Sequence, residues 1–278
     1  MPSLNNIKKL CAELDIKPTK SKGQNFLIDK NILAKIISTA NLQANDTILE
    51  IGPGFGTLTQ ALIKNTKQVI SVELDKKLFN FLTEEYKTTN NLELIQGDII
   101  ELLRNPNSQL AKLKNYKVIA NLPYQITSHF LRLILERPNK PTEITLMIQK
   151  EVAERICAQP GRMSVLSVMV QYYTDPQILF TVSQNSFWPA PAVNSALIKL
   201  KTKQLNSSPD FDKKLFKTIK TGFSSKRKML KNNLGNIYDK NKLVQIFSAL
   251  NLNPKTRAQN LSIPDWINLT KKLTSQWL

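Results

Sequence analysis

Three of the chain's 8 glycines fall within five residues, in Glu50-Ile51-Gly52-Pro53-Gly54-Phe55-Gly56-Thr57-Leu58-Thr59. A chain that uses so little glycine elsewhere needs unusual backbone there. Glycines at a strand-to-helix turn let the main chain bend sharply and approach a ligand. The spacing is G-x-G-x-G, with Thr57 where the dinucleotide fingerprint places its third glycine. Glu50, just ahead of the loop, also sits poorly beside a pyrophosphate. Glu73 closes the next apolar run and can accept both hydroxyls of a ribose. Gly97-Asp98 closes the run after that, offering a short carboxylate to an adenine amino group. A tight turn or a surface charge explains each residue singly. Together and in order, Gly52, Gly54, Glu73 and Asp98 fit an adenosine-bearing cofactor without a pyrophosphate, and S-adenosylmethionine fits best.

A second group, Asn121-Leu122-Pro123-Tyr124, follows a fourth apolar run on the same sheet edge. An adenine amino nitrogen is a poor nucleophile because its lone pair is delocalised into the ring. The Asn121 side-chain oxygen and a following backbone carbonyl can hold its protons while Pro123 stiffens the turn and Tyr124 stacks on the base. Such chemistry rests on alignment and preorganised hydrogen bonds rather than a strong base. No His, Cys or Ser constellation competes with it: His129, the only histidine, reads as structural, and no metal site is expected. Phe187-Trp188-Pro189-Ala190-Pro191 is a third element, an aromatic pair stiffened by prolines that can wall a pocket for an unstacked base. A stiff loop over the core is the plainer reading of it.

The elements that must position these residues are apolar β-rich runs at 47–51, 69–74, 92–96, 116–120 and 144–148. Helical segments such as 58–64 and 76–86 lie between them, which predicts a parallel sheet covered on both faces. Asp29 reads as the N-cap of a helix carrying Ile32, Leu33, Ile36, Ile37 and Ala40 on one face. Runs at 178–182 and 196–200 predict an antiparallel edge. Beyond a linker at 201–210 every periodic segment is helical, at 211–223, 226–233, 242–250 and 266–273. The expected fold is therefore α/β, a Rossmann-like methyltransferase domain over residues 1–204 with a basic N-terminal arm. A small all-helical domain over 205–278 follows it.

Charge supports a polyanionic partner. The 278 residues hold 39 Lys+Arg against 21 Asp+Glu, and residues 201–278 alone hold 16 against 4. Lys226, Arg227 and Lys228 head the expected RNA contacts. A membrane surface is the competing polyanion, but no basic helix with aromatic anchors stands out. The N-terminus lacks an apolar signal region and no uncharged run reads as a membrane span, so a cytoplasmic protein is expected. Cys11 and Cys157 read as small buried apolar residues.

With these residues assembled, the chain resembles the ribosomal RNA adenine dimethyltransferase family, of the bacterial small-subunit type. The likeness runs through Gly-Gln-Asn-Phe-Leu (23–27), the glycine loop, Glu73, Gly97-Asp98, Asn-Leu-Pro-Tyr (121–124), residues 149–155 and Phe-x-Pro-x-Pro-x-Val-x-Ser (187–195). It implies dimethylation of two adjacent adenosines in the 3′-terminal hairpin of small-subunit rRNA. The partner would be that RNA, or an immature 30S subunit, met by a monomer. It further implies cofactor contacts at Asn25, Leu27, Gly52, Glu73, Asp98 and Asn121, with Gln24 in the same motif. Asn121, Leu122 and Tyr124 are carried over as the target-base site and Phe187 as its stacking partner. The chain departs from the family at Phe223-Ser-Ser-Lys-Arg-Lys228, where paired arginines are usual, and at Ala192, where lysine is common. Segment 161–166 also lacks the usual Tyr-Gly pair. The nearest rival is the related enzyme type acting on one large-subunit rRNA adenosine. A non-catalytic RNA-binding factor and a nicotinamide oxidoreductase fit less well, given intact Glu73 and Asn121 and the presence of Thr57.

Overall fold

Segments rich in Ile, Val and Leu, such as Thr47-Ile-Leu-Glu-Ile51, favour extended backbone and become buried on both faces in the middle of a sheet. The computed structural model describes residues 3–18 and 23–274. Along the chain come α1 (Leu4–Glu13), β1 (Phe26–Leu27), α2 (Lys30–Thr39), β2 (Thr47–Ile51), α3 (Thr59–Asn65), β3 (Gln68–Glu73) and α4 (Lys76–Glu85). Then follow β4 (Leu92–Gln96), α5 (Ile99–Arg104), β5 (Tyr116–Asn121), α6 (Thr127–Glu136), β6 (Glu143–Gln149), α7 (Lys150–Ile156) and α8 (Val165–Tyr173). The remainder is β7 (Thr174–Val182), β8 (Phe187–Trp188), β9 (Ser195–Thr202), α9 (Pro209–Gly222), α10 (Leu230–Leu234), α11 (Lys240–Ala249) and α12 (Ile263–Thr274).

The main sheet has seven strands in the order β4-β3-β2-β5-β6-β9-β7. Strands β4 to β6 of that order pair in parallel, whereas β9 runs antiparallel to β6 and β7 lies outside it. The chain steps outward from β2 through β3 to β4, then returns to place β5 on the other side of β2. That reversal opens a crevice above the carboxyl ends of β2 and β5, where ligands of open α/β sheets bind. Ile48, Val69, Val118, Ile144 and Leu146 are fully buried and make the platform rigid. A two-stranded ribbon pairs Phe26 with Trp188 and Leu27 with Phe187, so the 23–27 motif is stitched to the proline-rich loop.

The chain folds as two compact units: Met1–Ala153 with Pro176–Thr202, and Glu154–Asp175 with Lys203–Leu278. The expected boundary near residue 204 therefore misses one segment, Glu154–Asp175, which joins the helical unit. Hydrogen bonds account for this. Tyr172 donates to Asp212 at 2.6 Å, Gly161 N–H donates to the Gln259 carbonyl at 2.7 Å, and Gln259 Nε2 donates back to the Gly161 carbonyl at 2.9 Å. Two further expectations need correction. The lysine-rich N-terminus is not a plain arm, because α1 is capped by Ser3 and buries Ile7 and Cys11. The helix expected over 226–233 begins only at Leu230, and Lys226–Lys228 form an exposed turn. Buried Asn233 donates to the Gly222 and Ser225 carbonyls at 2.6 and 2.9 Å, which pins that turn against the end of α9. Asp29 caps α2 as expected, accepting from the Asn31 and Ile32 N–H groups. Cys11 is buried, whereas Cys157 is only half-buried.

Candidate active site at the carboxyl edge of the sheet

The turn after β2 has a left-handed backbone at Gly52 and Gly54, with φ of 65° and 59°. A side chain on Gly54 would come within 3.1 Å of the Phe26 ring, so only glycine lets the loop lie under the 23–27 motif. A Cβ on Gly52 would meet nothing within 4 Å, because that residue faces open space. The space is a cavity of about 360 Å³, in the range that holds a drug-sized ligand.

Glu50, Glu73, Asp75 and Asp98 line this cavity, and no lysine, arginine or histidine among the described residues does. Such a lining repels a pyrophosphate and attracts a cation. Glu73 is 6% exposed and held by two backbone donors, Gly54 N–H at 3.1 Å and Asp75 N–H at 2.8 Å. Burial nevertheless pushes its carboxyl upward from the usual range. Glu50 lies deeper, accepts from the Ser71 and Thr59 hydroxyls at 2.6 and 2.8 Å, and is pushed by burial up to about 7. Its Oε1 and the Oε1 of Gln24 are buried without a partner among the described residues, as polar atoms awaiting a donor would be. Asp98 spends one oxygen on the cap of α5, accepting from Ile100 N–H at 2.8 Å. Leu74, beside Glu73, is 63% exposed and lines the cavity, an apolar platform that the reading of the sequence did not single out.

Asn121 ends β5 on the opposite lip. Its Nδ2 donates to the Asn25 carbonyl at 2.9 Å. A carbonyl can only accept, so this bond fixes the amide's orientation and leaves Oδ1 as the acceptor. Pro123 continues in extended backbone at φ −54°, and Tyr124 opens a short 3-10 turn. The Tyr124 hydroxyl lies 2.7 Å from Oγ of Ser195, a fully buried residue at the start of β9. Ser195 closes the 187–195 motif, and its partner is visible only in three dimensions.

The predicted residues Gln24, Asn25, Leu27, Gly52, Gly54, Glu73, Asp98, Asn121 and Pro123 thus meet around one cavity. Leu122, Tyr124 and Phe187 are not among the residues that line it, and Tyr124 is half-buried, next to Pro123 in sequence. Leu122 is 1% exposed, and its N–H donates to Met147. Phe187 is 3% exposed and packs with Leu27, Ile36 and Leu197 in the core. Lys226, Arg227 and Lys228 lie in the other unit, all exposed. His129 lies outside the cavity and contacts Arg104 at 3.0 Å.

The model of the ribosomal RNA adenine dimethylase family matches residues 16–275. The chain belongs to that family. It shares 39% identity over 94% of its length, and 90% of the relative's, with ribosomal RNA small subunit methyltransferase A of Dehalococcoides mccartyi strain CBDB1. It shares 38%, over 95% and 97% of the two chains, with the protein of the same name from Clostridium botulinum strain Okra. Among solved structures it is similar to a dimethyladenosine transferase from Plasmodium falciparum, with a TM-score of 0.78, 26% identity and coverage of 91% and 98%. It is also similar to the 23S rRNA methyltransferase ErmE, with a TM-score of 0.71, 25% identity and coverage of 90% and 99%. As a member of the dimethylase family the chain is an rRNA adenine methyltransferase, and its cofactor is S-adenosylmethionine. The residues suit that cofactor: an acidic, partly orphaned cavity accepts a sulfonium and an ammonium where it would refuse a diphosphate. Among the described residues no helix is long and apolar enough to cross a membrane.

Proposed function

We propose that this dimethylase converts two adjacent adenosines of the 3′-terminal hairpin of small-subunit rRNA to their N6,N6-dimethyl forms. The identity to small-subunit enzymes, 37–39% over more than nine-tenths of the chain, supports this substrate over the large-subunit one. The partner is that RNA, free or within an immature 30S subunit, met by a cytoplasmic monomer. The observation that carries the chemistry is the Asn121 amide, anchored through Nδ2 and free to accept through Oδ1 at the cavity lip.

S-adenosylmethionine, when bound, supplies an electrophilic methyl group together with its own leaving group. Glu73 receives the ribose hydroxyls, Asp98 the adenine amino group and Leu74 the face of that base, while Gly52 and Gly54 let main chain come close. Gln24, Asn25 and Leu27 close the cavity from the other wall. Asn121 Oδ1 and the Leu122 carbonyl take hydrogen bonds from the target amine, withdrawing its lone pair from the ring. Pro123 keeps those two acceptors in register. Tyr124 stacks on the target base, with its hydroxyl tied to Ser195. Phe187 backs that stack, and exposing its ring to the base requires the 187–195 loop to shift. Lys226, Arg227 and Lys228 hold backbone phosphates, with the helical unit as the RNA-binding part.

Asn121→Ala separates the steps. S-adenosylmethionine affinity measured by calorimetry should fall only severalfold, whereas single-turnover transfer should fall roughly 100- to 1,000-fold, as for loss of one preorganised hydrogen-bonding group. Normal turnover in that variant would remove Asn121 from the mechanism.

A further inference from the structure

Between Lys213 and Tyr238 the chain carries 8 Lys+Arg and no Asp or Glu. The structure distributes these cations over one element pair, α9 and α10 with the turn between them. Lys213, Lys217 and Lys220 are exposed at positions i, i+4 and i+7 of α9, and so share one face along roughly two turns of helix. The opposite side of α9 buries Leu215, Thr218, Ile219 and Gly222. Lys214 behaves differently: its ammonium pairs with Asp210 at 2.7 Å, one turn earlier. Lys213 feels the Asp210 carboxylate only at longer range, and Lys217 and Lys220 make no ion pair that the structure records among the described residues.

Like charges one helical turn apart destabilise a helix, and only Lys220, in the last turn, gains from the helix dipole. An exposed row of three lysines therefore costs stability through mutual repulsion and solves no packing problem, since its side chains lie on the solvent side. A polyanion laid along the row removes the repulsion. The helix beneath is a rigid support: Tyr172 donates to Asp212 at 2.6 Å, and the Tyr173 and Phe216 rings stack at 5.6 Å. At the far end, Asn233 braces the Lys226–Lys228 turn, and that turn carries the positive surface onward from Lys220.

We propose that the α9 face bearing Lys213, Lys217 and Lys220 is a second phosphate-binding site, continuous with the basic turn, for the sugar-phosphate backbone of the substrate RNA. It rests on the reading of this enzyme as an rRNA methyltransferase and extends its RNA contact from three residues to six. Contacts of this kind carry no sequence information: they set orientation and affinity, while the site in the sheet unit chooses the base.

The test compares Lys213→Gln/Lys217→Gln/Lys220→Gln with Lys226→Gln/Arg227→Gln/Lys228→Gln in the full chain. Each is titrated with a small-subunit rRNA 3′-terminal fragment at several salt concentrations. The α9 variant should lose about two units from the slope of log affinity against log salt, raise KM for RNA about tenfold and keep kcat and S-adenosylmethionine affinity. Its melting temperature should hold or rise because repulsion is relieved, which separates a binding defect from misfolding. An unchanged slope in the α9 variant, with a reduced slope in the turn variant, overturns this inference alone. Unchanged slopes in both variants remove the helical unit from RNA binding and with it the broader reading. Loss of cosedimentation with phosphatidylglycerol vesicles, without any change in RNA binding, would assign the row to a membrane and overturn the proposal.

Discussion

The proposed chemistry rests on single atoms. The bond from Asn121 Nδ2 to the Asn25 carbonyl explains why an amide rather than a carboxylate is suited to this position. Asn121→Asp would face one carbonyl oxygen with another acceptor, so transfer should fall at least as far as in Asn121→Ala. The Tyr124–Ser195 contact is the second on which the proposed mechanism draws. Losing a hydrogen bond worth about 1 kcal/mol slows turnover roughly fivefold, so Ser195→Ala and Tyr124→Phe should each show that loss. If one bond is responsible, the double variant is no slower than either single one, and additive losses in a double-mutant cycle would contradict the contact. Glu73→Ala removes the acceptor that also orders Gly54, and cofactor binding should become undetectable by calorimetry in a protein that still folds.

At the scale of elements, the strands were the most legible part of the sequence. The runs at 47–51 and 92–96 are strands at those bounds, and the others shift by a residue or two, except β7, which starts four residues earlier than its apolar stretch. A buried parallel strand writes itself as an unbroken apolar run, so its signal is local. α1 was missed although Ile7, Leu10, Cys11 and Leu14 follow a helical period, because lysines between them read as a solvated arm. The membership of Glu154–Asp175 in the helical unit was not legible, since the Tyr172–Asp212 bond joins residues far apart in sequence. Glycine spacing and strand-end acids foretold the cavity lining, but not that Phe187 would be buried.

Glu50 links β2 to β3 and α3 through Ser71 and Thr59. Its folded pKa of about 7 lies above the usual 4.5, so the folded state binds the extra proton between those values. Stability from this group is therefore complete below pH 4.5 and lost as pH rises through 7, by about 3 kcal/mol. Glu50→Gln should flatten that slope in urea titrations at pH 5 and pH 8; parallel pH dependences for the two proteins would contradict it.

The whole molecule separates two charges. A cavity lined by four carboxylates suits a cationic cofactor, and the helical unit rich in exposed lysine would, under the proposed function, meet the RNA. Salt should act on them unequally. Between 50 and 200 mM salt, KM for RNA should rise by at least tenfold, while the buried cofactor site should change less than twofold. The enzyme's activity is defined by which bases it modifies. Labelled methyl transfer onto unmethylated small and large ribosomal subunits, followed by mapping of the modified nucleosides, tests it most directly. Two adjacent N6,N6-dimethyladenosines near the 3′ end of the small-subunit rRNA are expected, with no label in the large subunit. Label in the large subunit, or on any base other than adenine, would contradict that expectation.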